Sequence, residues 1–353
     1  MQFFNKQDLF LSIKFWHLVG HTSQVSSSGA YFLVPIHDVE IVVYKFKEHI
    51  RAFQNTCPHR GAKFFKDTSG CSPIVCPYHG WSFGDDNKVS IPLYKTFGTS
   101  PVDPRTASLK YWQVNIVGGF IFIAFDPLYS LRLQLGDSVF SLLESIGLSI
   151  DSLYSFNAFE FQSNWRIAVE NSLEAYHVSV IHSNTLAKLG IDYGTNRLFD
   201  WSSILHHTIS NKRVSSSLKL AQRFLSKPPP ITDYCSIYIF PFSSLSSTFS
   251  IGFSLQNYFP SHSLSSLNAC QFRSLLFSPC LKSFDSKISP LQAFMKSSDE
   301  LNRNIFSEDS FVCSLVPFSS WSAAEPLFVS SLEEKILHFR SLFSRLSDSY
   351  SVF

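Results

Sequence analysis

Two short segments, Cys57-Pro58-His59-Arg60-Gly61-Ala62 and Cys76-Pro77-Tyr78-His79-Gly80-Trp81, each bring one cysteine close to one histidine. Sixteen residues separate His59 from Cys76. Proline fixes φ and glycine relieves steric limits, so both segments can form tight turns whose backbone N–H groups approach a bound sulfur. We therefore expect paired loops around one metal centre, with four ligands: Cys57, His59, Cys76 and His79.

The mixed ligand set separates two kinds of centre. Structural zinc also uses two cysteines and two histidines, but zinc modules mostly pair cysteine with cysteine and histidine with histidine. In a Rieske [2Fe–2S] centre, two histidines replace two cysteines on one iron, which raises the reduction potential. One cysteine and one histidine in each segment favour the Rieske cluster over zinc.

Both segments resemble the cluster-binding loops of Rieske proteins. Rieske proteins of respiratory chains carry one further cysteine in each loop, joined as a disulfide, whereas the matching positions here are Ala62 and Tyr78. The flanking residues 50–55 (Ile-Arg-Ala-Phe-Gln-Asn) and 81–83 (Trp-Ser-Phe) are similar to those of Rieske oxygenases. The resemblance therefore implies the oxygenase type of Rieske domain.

Length and composition set the outer limits. A chain of 353 residues, 45% hydrophobic and 16% charged, is long enough for two globular domains. Its 29 basic and 27 acidic residues give a net charge of +2, without the basic excess of nucleic-acid binders. We expect no nucleic-acid partner.

The cysteines and the apolar runs predict a cytoplasmic protein without a membrane span. Seven cysteines show no disulfide framework, which fits a reducing compartment, and the N-terminus has no signal-peptide pattern. The most apolar run, residues 116–125, is about half as long as a bilayer span requires. We interpret it as one buried strand.

Patterns along the chain predict three parts. Residues 1–30 are expected to form a helical segment packing on the body, residues 31–127 the Rieske domain, and residues 128–353 a catalytic domain. Short β runs fill the second part, while helical and β-like runs mix in the third. The predicted fold class is α+β, with a small all-β Rieske domain and a larger domain whose antiparallel sheet is flanked by helices, of the helix-grip type that the resemblance implies.

Clustered serines and prolines at residues 215–217 and 227–230 predict a loop. A plain solvated connector is favoured there over a functional lid, since only some long loops are functional.

A second metal site is predicted in the stretch 164–182, Asn-Trp-Arg-Ile-Ala-Val-Glu-Asn-Ser-Leu-Glu-Ala-Tyr-His-Val-Ser-Val-Ile-His. His177 and His182 are five residues apart, so on one regular helix they would diverge by roughly 140°. For both rings to reach one ion, the helix must loosen or end between them. Two histidines and one carboxylate form the facial triad of non-heme Fe(II) oxygenases. Ordinary surface or core histidines are the alternative.

A facial triad also requires one carboxylate. Four acids cluster near the end of the chain: Asp299, Glu300, Glu308 and Asp309. A solvated helix face is the alternative explanation for any of them.

The stretch 164–182 resembles the signature of the large subunit of Rieske ring-hydroxylating oxygenases: Asn-Trp, then Glu-Asn, then an acid-x-Tyr-His-x4-His motif. The resemblance implies that His177 and His182 bind iron and that Asn171 lies near it. It implies that Glu174 bridges a cluster histidine of one subunit and an iron-bound histidine of its neighbour. The Glu308-Asp309 pair is similar to a late segment of the family in which the aspartate binds iron, so Asp309 is the chosen ligand.

Together these features predict a terminal oxygenase component with a Rieske [2Fe–2S] cluster and a mononuclear Fe(II). Single electrons would pass to the iron, which activates O2 to hydroxylate a small, preferentially aromatic substrate. The sequence has no Gly-x-Gly-x-x-Gly fingerprint, so electrons should come from a separate NAD(P)H-dependent reductase, with a ferredoxin as an optional carrier. The resemblance also implies a head-to-tail homotrimer, with a small beta subunit as an optional partner.

Three alternatives stay open. The same metal centres could demethylate or cleave a quaternary amine, as some members of the family do. A Rieske electron carrier would lack the mononuclear iron. A non-catalytic homologue is the third alternative.

Overall fold

The structure of the protein is a computed structural model that describes residues 2–85, 88–97, 102, 107–190, 194–227, 231, 233–248, 250–261, 269–282, 289–323 and 328–346. Its helices are α1 (Gln2–Lys14), α2 (Leu131–Leu135), α3 (Asp137–Gly147), α4 (Trp165–Leu173), α5 (Val178–Ile181), α6 (Lys212–Gln222), α7 (Ser289–Ser314), α8 (Phe318–Ala323) and α9 (Glu334–Arg345). The strands of the first half are β1 (His17–His21), β2 (Ala30–Ile36), β3 (Val39–Lys45), β4 (Ile50–Gln54), β5 (Ser69–Cys71), β6 (Ile74–Val75), β7 (Ser82–Phe83), β8 (Val89–Ser90), β9 (Tyr111–Val117) and β10 (Phe120–Ala124). The strands of the second half are β11 (Ile150–Phe161), β12 (Thr195–Leu198), β13 (Ser202–His207), β14 (Tyr234–Ile239), β15 (Ser243–Thr248), β16 (Phe253–Ser261) and β17 (Ala269–Pro279).

The first ten strands build an all-β half. Seven of them form one antiparallel sheet in the order β1-β10-β9-β4-β3-β2-β5, and β6-β7-β8 form a small second sheet. The first cysteine–histidine segment follows β4, and the second lies between β6 and β7. Strands on both sides therefore fix the two segments.

The apolar run 116–125 forms a hairpin, so the prediction of one buried strand is wrong. Strand β9 ends at Val117 and β10 begins at Phe120, and these two residues are paired. Gly118 and Gly119 have φ of 59° and 99°, the left-handed conformation that two-residue hairpin turns require. The Gly-Gly pair was the sequence signal for this turn.

The N-terminal segment contains both a helix and a strand. Helix α1 ends at Lys14, and the following strand β1 pairs antiparallel with β10. Phe10 and Phe15 of this segment are buried. The segment predicted as helical at residues 1–30 thus contributes the edge strand of the first sheet.

The second half has a sheet covered by helices. Its seven antiparallel strands follow the order β11-β17-β16-β15-β14-β13-β12. Helices α4, α7 and α9 pack against this sheet, with Phe306 and Phe339 buried beside Tyr258 and Phe272. The predicted α+β class, a small all-β domain plus a larger antiparallel sheet with helices, is confirmed. Neither the 26-residue α7 nor any other described helix has the length and apolar character of a membrane span.

Ser215–Ser217 lie inside α6, so the loop predicted there is wrong. The Asn211 side chain caps this helix by accepting hydrogen bonds from the backbone N–H groups of Arg213 and Val214, at 3.2 and 3.3 Å. Val214 and Leu218 lie one helical turn apart and pack beside Ile251. Packing of this face outweighs the modest helix propensity of serine. The predicted Pro228–Pro230 part of the loop lies outside the described residues.

Both sheets contribute to a common hydrophobic core. Leu18 and Phe122 of the first sheet belong to the same buried cluster as Ile237 and Leu255 of the second. The two halves are thereby held in a fixed relation, which also fixes their metal-binding segments.

Candidate metal centres

The two cysteine–histidine segments adopt matching turns. The N–H of Cys57 donates to the carbonyl of Ala62 at 2.8 Å, and the N–H of Gly61 donates to Cys57 at 2.9 Å. In the second segment, Cys76 donates to Trp81 at 2.8 Å, and Gly80 donates back to Cys76 at 3.0 Å. Gly61 and Gly80 have φ of 76° and 72°, which explains why glycine occupies both positions.

The four predicted cluster ligands lie together, with sulfur inside and nitrogen outside. Cys57 and Cys76 are 1% and 3% exposed, whereas His59 is half-buried and His79 is exposed. The two imidazole centroids are 4.7 Å apart. Burial raises the pKa of the Cys57 thiol, and the neighbouring Cys76 adds to this effect.

The surroundings of the histidines fit a bound cluster. His59 stacks on Trp81 with centroids 4.8 Å apart and planes 2° apart, and His79 stacks on Tyr78 at 4.0 Å. The Nδ1 atom of His59 is buried and has no hydrogen-bond partner within the described part of the chain. A buried nitrogen without a partner is unfavourable unless it binds a metal, so this atom supports ligation. The residues present therefore fit a Rieske [2Fe–2S] cluster.

The second predicted site forms where α4 gives way to α5. Helix α4 ends at Leu173, and His177 and His182 flank the single turn of α5. The helix was expected to loosen or end between the two histidines, and this is wrong: it ends before His177, and the turn of α5 lies between them. The imidazole centroids are 5.1 Å apart, so the short helix brings the rings together despite their five-residue spacing.

Asp309 on α7 completes a three-residue group. Its Oδ1 lies 3.0 Å from Nε2 of His182 and 3.6 Å from Nε2 of His177. One ligand atom from each of the three residues lies within 4.8 Å of the others, which permits a common metal ion. Asn171 donates from Nδ2 to the same Oδ1 at 2.7 Å and helps to orient the carboxylate.

Each histidine has a carboxylate on its other ring nitrogen. Nδ1 of His177 contacts Glu174, which also accepts hydrogen bonds from the backbone N–H groups of Tyr176 and His177. Nδ1 of His182 lies 2.7 Å from Glu308, whose carboxylate also accepts from Thr185 at 2.8 Å. Such pairs fix the ring orientation of metal-bound histidines. Both Nε2 atoms therefore remain directed at one point.

Electrostatics favour a cation at that point. Burial lowers the pKa of His177, but hydrogen bonds with Asp309 and Glu174 outweigh it and raise the pKa to about 9. Burial would raise the pKa of Asp309, yet hydrogen bonds with His177 and His182 keep it below its usual range. Protons thus balance the carboxylates when no metal is present. Two imidazoles and one carboxylate are the donor set of a mononuclear non-heme iron.

Comparisons with known proteins agree with these two sites. Residues 15–96 match the model of the Rieske [2Fe-2S] domain, and residues 150–272 match that of the ring-hydroxylating alpha subunit catalytic domain. Together the two models cover both candidate centres except Asp309.

The chain belongs to the Rieske oxygenase alpha-subunit family.

Relatives of this alpha subunit act on different substrates. The chain is 32% identical over 194 residues to a choline monooxygenase of Amaranthus tricolor. The aligned segment covers 52% of the chain and 43% of that protein. It is 27% identical over 179 residues to the anthranilate 1,2-dioxygenase large subunit of Acinetobacter baylyi, covering 48% of the chain and 38% of that protein. The matched segments thus span less than half of either relative.

The fold of the alpha subunit also matches solved structures. A quaternary ammonium Rieske monooxygenase in complex with L-carnitine superposes with a TM-score of 0.75 over 96% of this chain and 91% of that chain. The sequence identity is 19%, so this likeness concerns the fold.

Two of the four acids considered as third ligand lie elsewhere in the alpha subunit. Asp299 accepts hydrogen bonds from Ser155 at 2.5 Å, Asn157 at 3.1 Å and Arg303 at 2.5 Å. Glu300 lies 3.9 Å from Lys296. Of these four acids, the structure brings Glu308 and Asp309 to the histidine pair.

Sequence reasoning did not assign a role to Glu308 beyond that of a weaker ligand candidate. In the structure it contacts the outer nitrogen of His182 and not the ion position. Its only sequence signal was its place beside Asp309 in the family-like pair. Which of two adjacent acids faces the site depends on the rotation of α7, which the sequence does not specify.

Proposed function

We propose that this alpha subunit is the terminal oxygenase of a multicomponent system and uses O2 to hydroxylate a small organic substrate. The observation that carries the proposal is the group His177, His182 and Asp309, with its ligand atoms within 4.8 Å of one another. A Rieske domain in the same chain gives this group a source of single electrons.

The proposed roles of the metal-binding residues follow from their contacts. When bound, the cluster supplies single electrons, and the mononuclear iron supplies positions at which O2 and substrate can meet. Four residues would hold the cluster: Cys57, His59, Cys76 and His79. Three would hold the iron: His177, His182 and Asp309. Asn171 donates a hydrogen bond to Asp309 and so limits rotation of the carboxylate.

Glu174 is proposed to link the iron site to the cluster of a neighbouring subunit. Its carboxylate contacts His177 and lines both the metal-site cavity and a surface depression beside Val312 and Trp321. Exposed apolar side chains lie close to it in sequence, with Tyr176 58% and Val180 74% exposed. An apolar rim around a carboxylate suits a subunit interface. This supports the head-to-tail homotrimer, a heterologous contact that closes into a ring.

The partners are proposals as well. Electrons would come from an NAD(P)H-dependent reductase, directly or through a ferredoxin, and a small beta subunit is an optional structural partner. All seven cysteines are unpaired in the structure, which supports a reducing cytoplasm as the location.

For the substrate, hydroxylation of an aromatic compound is the first candidate. Leu186, Leu205, Tyr258, Ile305 and Phe306 line the metal-site cavity and give it an apolar wall suited to a ring. The second candidate, oxidative N-demethylation or C–N cleavage of a quaternary amine, is favoured by the choline monooxygenase likeness. Released formaldehyde or aldehyde would identify the second reaction, and a hydroxylated ring the first.

Iron content and single-turnover chemistry test the proposal. Protein reconstituted anaerobically is expected to hold about three irons per chain, two in the cluster and one at the triad. After chemical reduction, one addition of O2 should yield hydroxylated product with a true substrate and hydrogen peroxide without one. About two irons per chain and no product with any substrate would instead indicate an electron carrier.

A further inference from the structure

The sheet beneath the metal site carries a patch of neutral polar groups. We define the serine–glutamine floor as five residues of β14, β15 and β16: Ser236, Ser244, Ser246, Ser254 and Gln256. They are cross-strand neighbours, because Ser236 pairs with Ser246, Ser246 with Ser254, and Ser244 with Gln256. Paired residues point to the same face, so all five side chains lie on the side of the sheet that faces α7.

Hydrogen bonds hold the Gln256 side chain in place. Ser244 donates to Oε1 of Gln256 at 2.6 Å, and Nε2 of Gln256 donates to Ser254 at 3.0 Å and Ser246 at 3.4 Å. Because Ser246 and Ser254 accept from the amide, their own hydroxyl hydrogens can point elsewhere. Ser246 and Gln256 are only half-buried. The floor thus offers fixed, neutral hydrogen-bonding groups to a bound molecule.

Two adjacent chambers lie above the floor. The inner chamber, of about 100 Å³, is lined by His177, His182 and Asp309. The outer chamber, of about 190 Å³, is lined by apolar side chains that include Leu218 and Phe294. Five residues line both chambers: Leu186, Tyr234, Gln256, Ile305 and Phe306. A molecule that extends from the outer chamber toward the metal site would therefore lie against Gln256.

The described lining of the two chambers contains few charged side chains. No lysine or arginine is among the described residues that line either chamber. The two acids that line the inner chamber already have partners. Glu174 contacts His177, and Asp309 contacts Asn171 and His182. Burial raises the pKa of Tyr234 to about 12, so its hydroxyl stays neutral. Burying a charge without a partner is strongly unfavourable.

We propose that the substrate is an uncharged molecule with an apolar body and a hydrogen-bonding group, which the serine–glutamine floor orients toward the metal site. Carboxylates and quaternary ammonium ions should bind less tightly, because the described lining residues include no lysine or arginine and no carboxylate without a partner. This inference rests on the proposed oxygenase function for the location of the reacting atoms, and it decides between the two substrate candidates above.

Three probes that share a benzene ring and differ in charge test the proposal. Benzamide is neutral, benzoate is an anion and benzyltrimethylammonium is a cation. Anaerobic equilibrium dialysis against iron-loaded protein is expected to give a dissociation constant for benzamide at least ten-fold below those of both ions. Equal or tighter binding of either ion, or no binding of any probe, overturns the proposal.

Substitutions in the chambers separate charge from size. Asn302 of α7 lines the outer chamber and is half-buried. Asn302→Lys should bind benzoate at least ten-fold more tightly than the matched neutral variant Asn302→Met. Gln256→Leu should weaken benzamide binding about five-fold with unchanged iron content. Equal benzoate affinity in the two Asn302 variants, or an unaffected Gln256→Leu, contradicts the proposal.

Dialysis requires no turnover, so a wrong ligand class and a wrong oxygenase function give different results. Selective benzamide binding by a protein that never forms product would reject the proposed oxygenase function and keep the neutral-ligand site. Product formation from a carboxylate or a quaternary amine would support the oxygenase function and reject the neutral-ligand site.

Discussion

Asp309 holds the centre of the mononuclear site, because the Nε2 atoms of both histidines face its Oδ1 atom. Replacing it by alanine removes the only carboxylate of the triad. Asp309→Ala is therefore expected to lower the iron content from about three to about two per chain while the visible spectrum of the cluster stays unchanged. Metal analysis and absorption spectroscopy check this.

Asp299 supplies the control for that experiment. It lies ten residues earlier on α7, but its partners are Ser155, Asn157 and Arg303. Asp299→Ala should keep about three irons per chain. A loss of the third iron in Asp299→Ala, or its retention in Asp309→Ala, would show that the ligand has been misassigned.

Glu308 should tune the site through His182. Its carboxylate receives a hydrogen bond from Nδ1 of His182 and another from Thr185. Glu308→Leu removes this support, and loss of such an outer partner typically weakens metal binding about 10–100-fold. Glu308→Gln retains an acceptor oxygen, so its affinity for the metal should fall much less. Competition for Fe(II) with a chelator measures both, and equal affinities for the two variants would refute the orienting role.

At the level of single residues, the sequence indicated which cysteines and histidines lie together better than it indicated their surroundings. Cysteine and histidine at short spacing are rare and chemically distinctive, so the four residues of the first site could be read directly. The contact between Glu308 and His182 could not be predicted from the sequence, since these residues are 126 positions apart. Contacts of that kind depend on the packing of α7 against α5.

The elements differ in how far local sequence determines them. Short β runs were correctly expected in residues 31–127, whereas the loop expected at Ser215–Ser217 is part of α6. Burial of Leu218 beside Ile251 stabilises that helix, and no local propensity reports such a contact. The geometry of the two histidines predicted a break between them, whereas the structure has its break between α4 and α5, before His177.

Helix α9 begins with a buried charge that should make stability depend on pH. Lys335 is 1% exposed, its Nζ has no hydrogen-bond partner among the described residues, and burial lowers its pKa from 10.5 to about 7. Between these two values the unfolded chain binds more protons than the folded protein, so stability rises with pH from about 7 to about 10.5. Below about pH 7 the penalty is fully present.

Lys335→Met should remove this dependence. We expect the variant to be more stable than the parent by about 2–4 kcal/mol at pH 7, with the difference shrinking as the pH approaches 10. Urea unfolding at pH 7 and pH 9.5 measures it. Lys296 of α7 has a side chain that is 74% exposed, so Lys296→Met should change stability little at either pH. A Lys335→Met difference that does not depend on pH would contradict the buried-charge explanation.

Over the whole molecule, the shared core holds the two halves in a fixed relative position, while their metal sites have different surroundings. The cluster segment presents His79 to the outside, and the iron site presents Glu174 beside a surface depression. Composition predicted two domains and no basic nucleic-acid surface, and local patterns predicted the type of each half. The packing of Leu18 and Phe122 against Ile237 could not be predicted, because it depends on which faces of two sheets meet.

Electron transfer between subunits has a testable consequence that electron transfer within one chain does not have. A Cys57→Ser subunit lacks a complete cluster, and an Asp309→Ala subunit lacks the iron, so neither should form product alone. In a head-to-tail ring, each interface joins the cluster of one subunit to the iron site of the next. Random mixing makes about a quarter of the interfaces competent, so co-expressed subunits should regain about a quarter of the parent activity.

Glu174 sharpens that experiment because it contacts His177 of its own chain and so belongs to the subunit that receives the electron. Glu174→Gln placed in the Cys57→Ser subunit should abolish the regained activity, since that subunit supplies the iron site. The same substitution placed in the Asp309→Ala subunit should have no effect, because its iron site is already inactive. Product formation that is equally sensitive in both placements would exclude Glu174 from the electron-accepting side, and mixed oligomers without any activity would favour transfer within the chain.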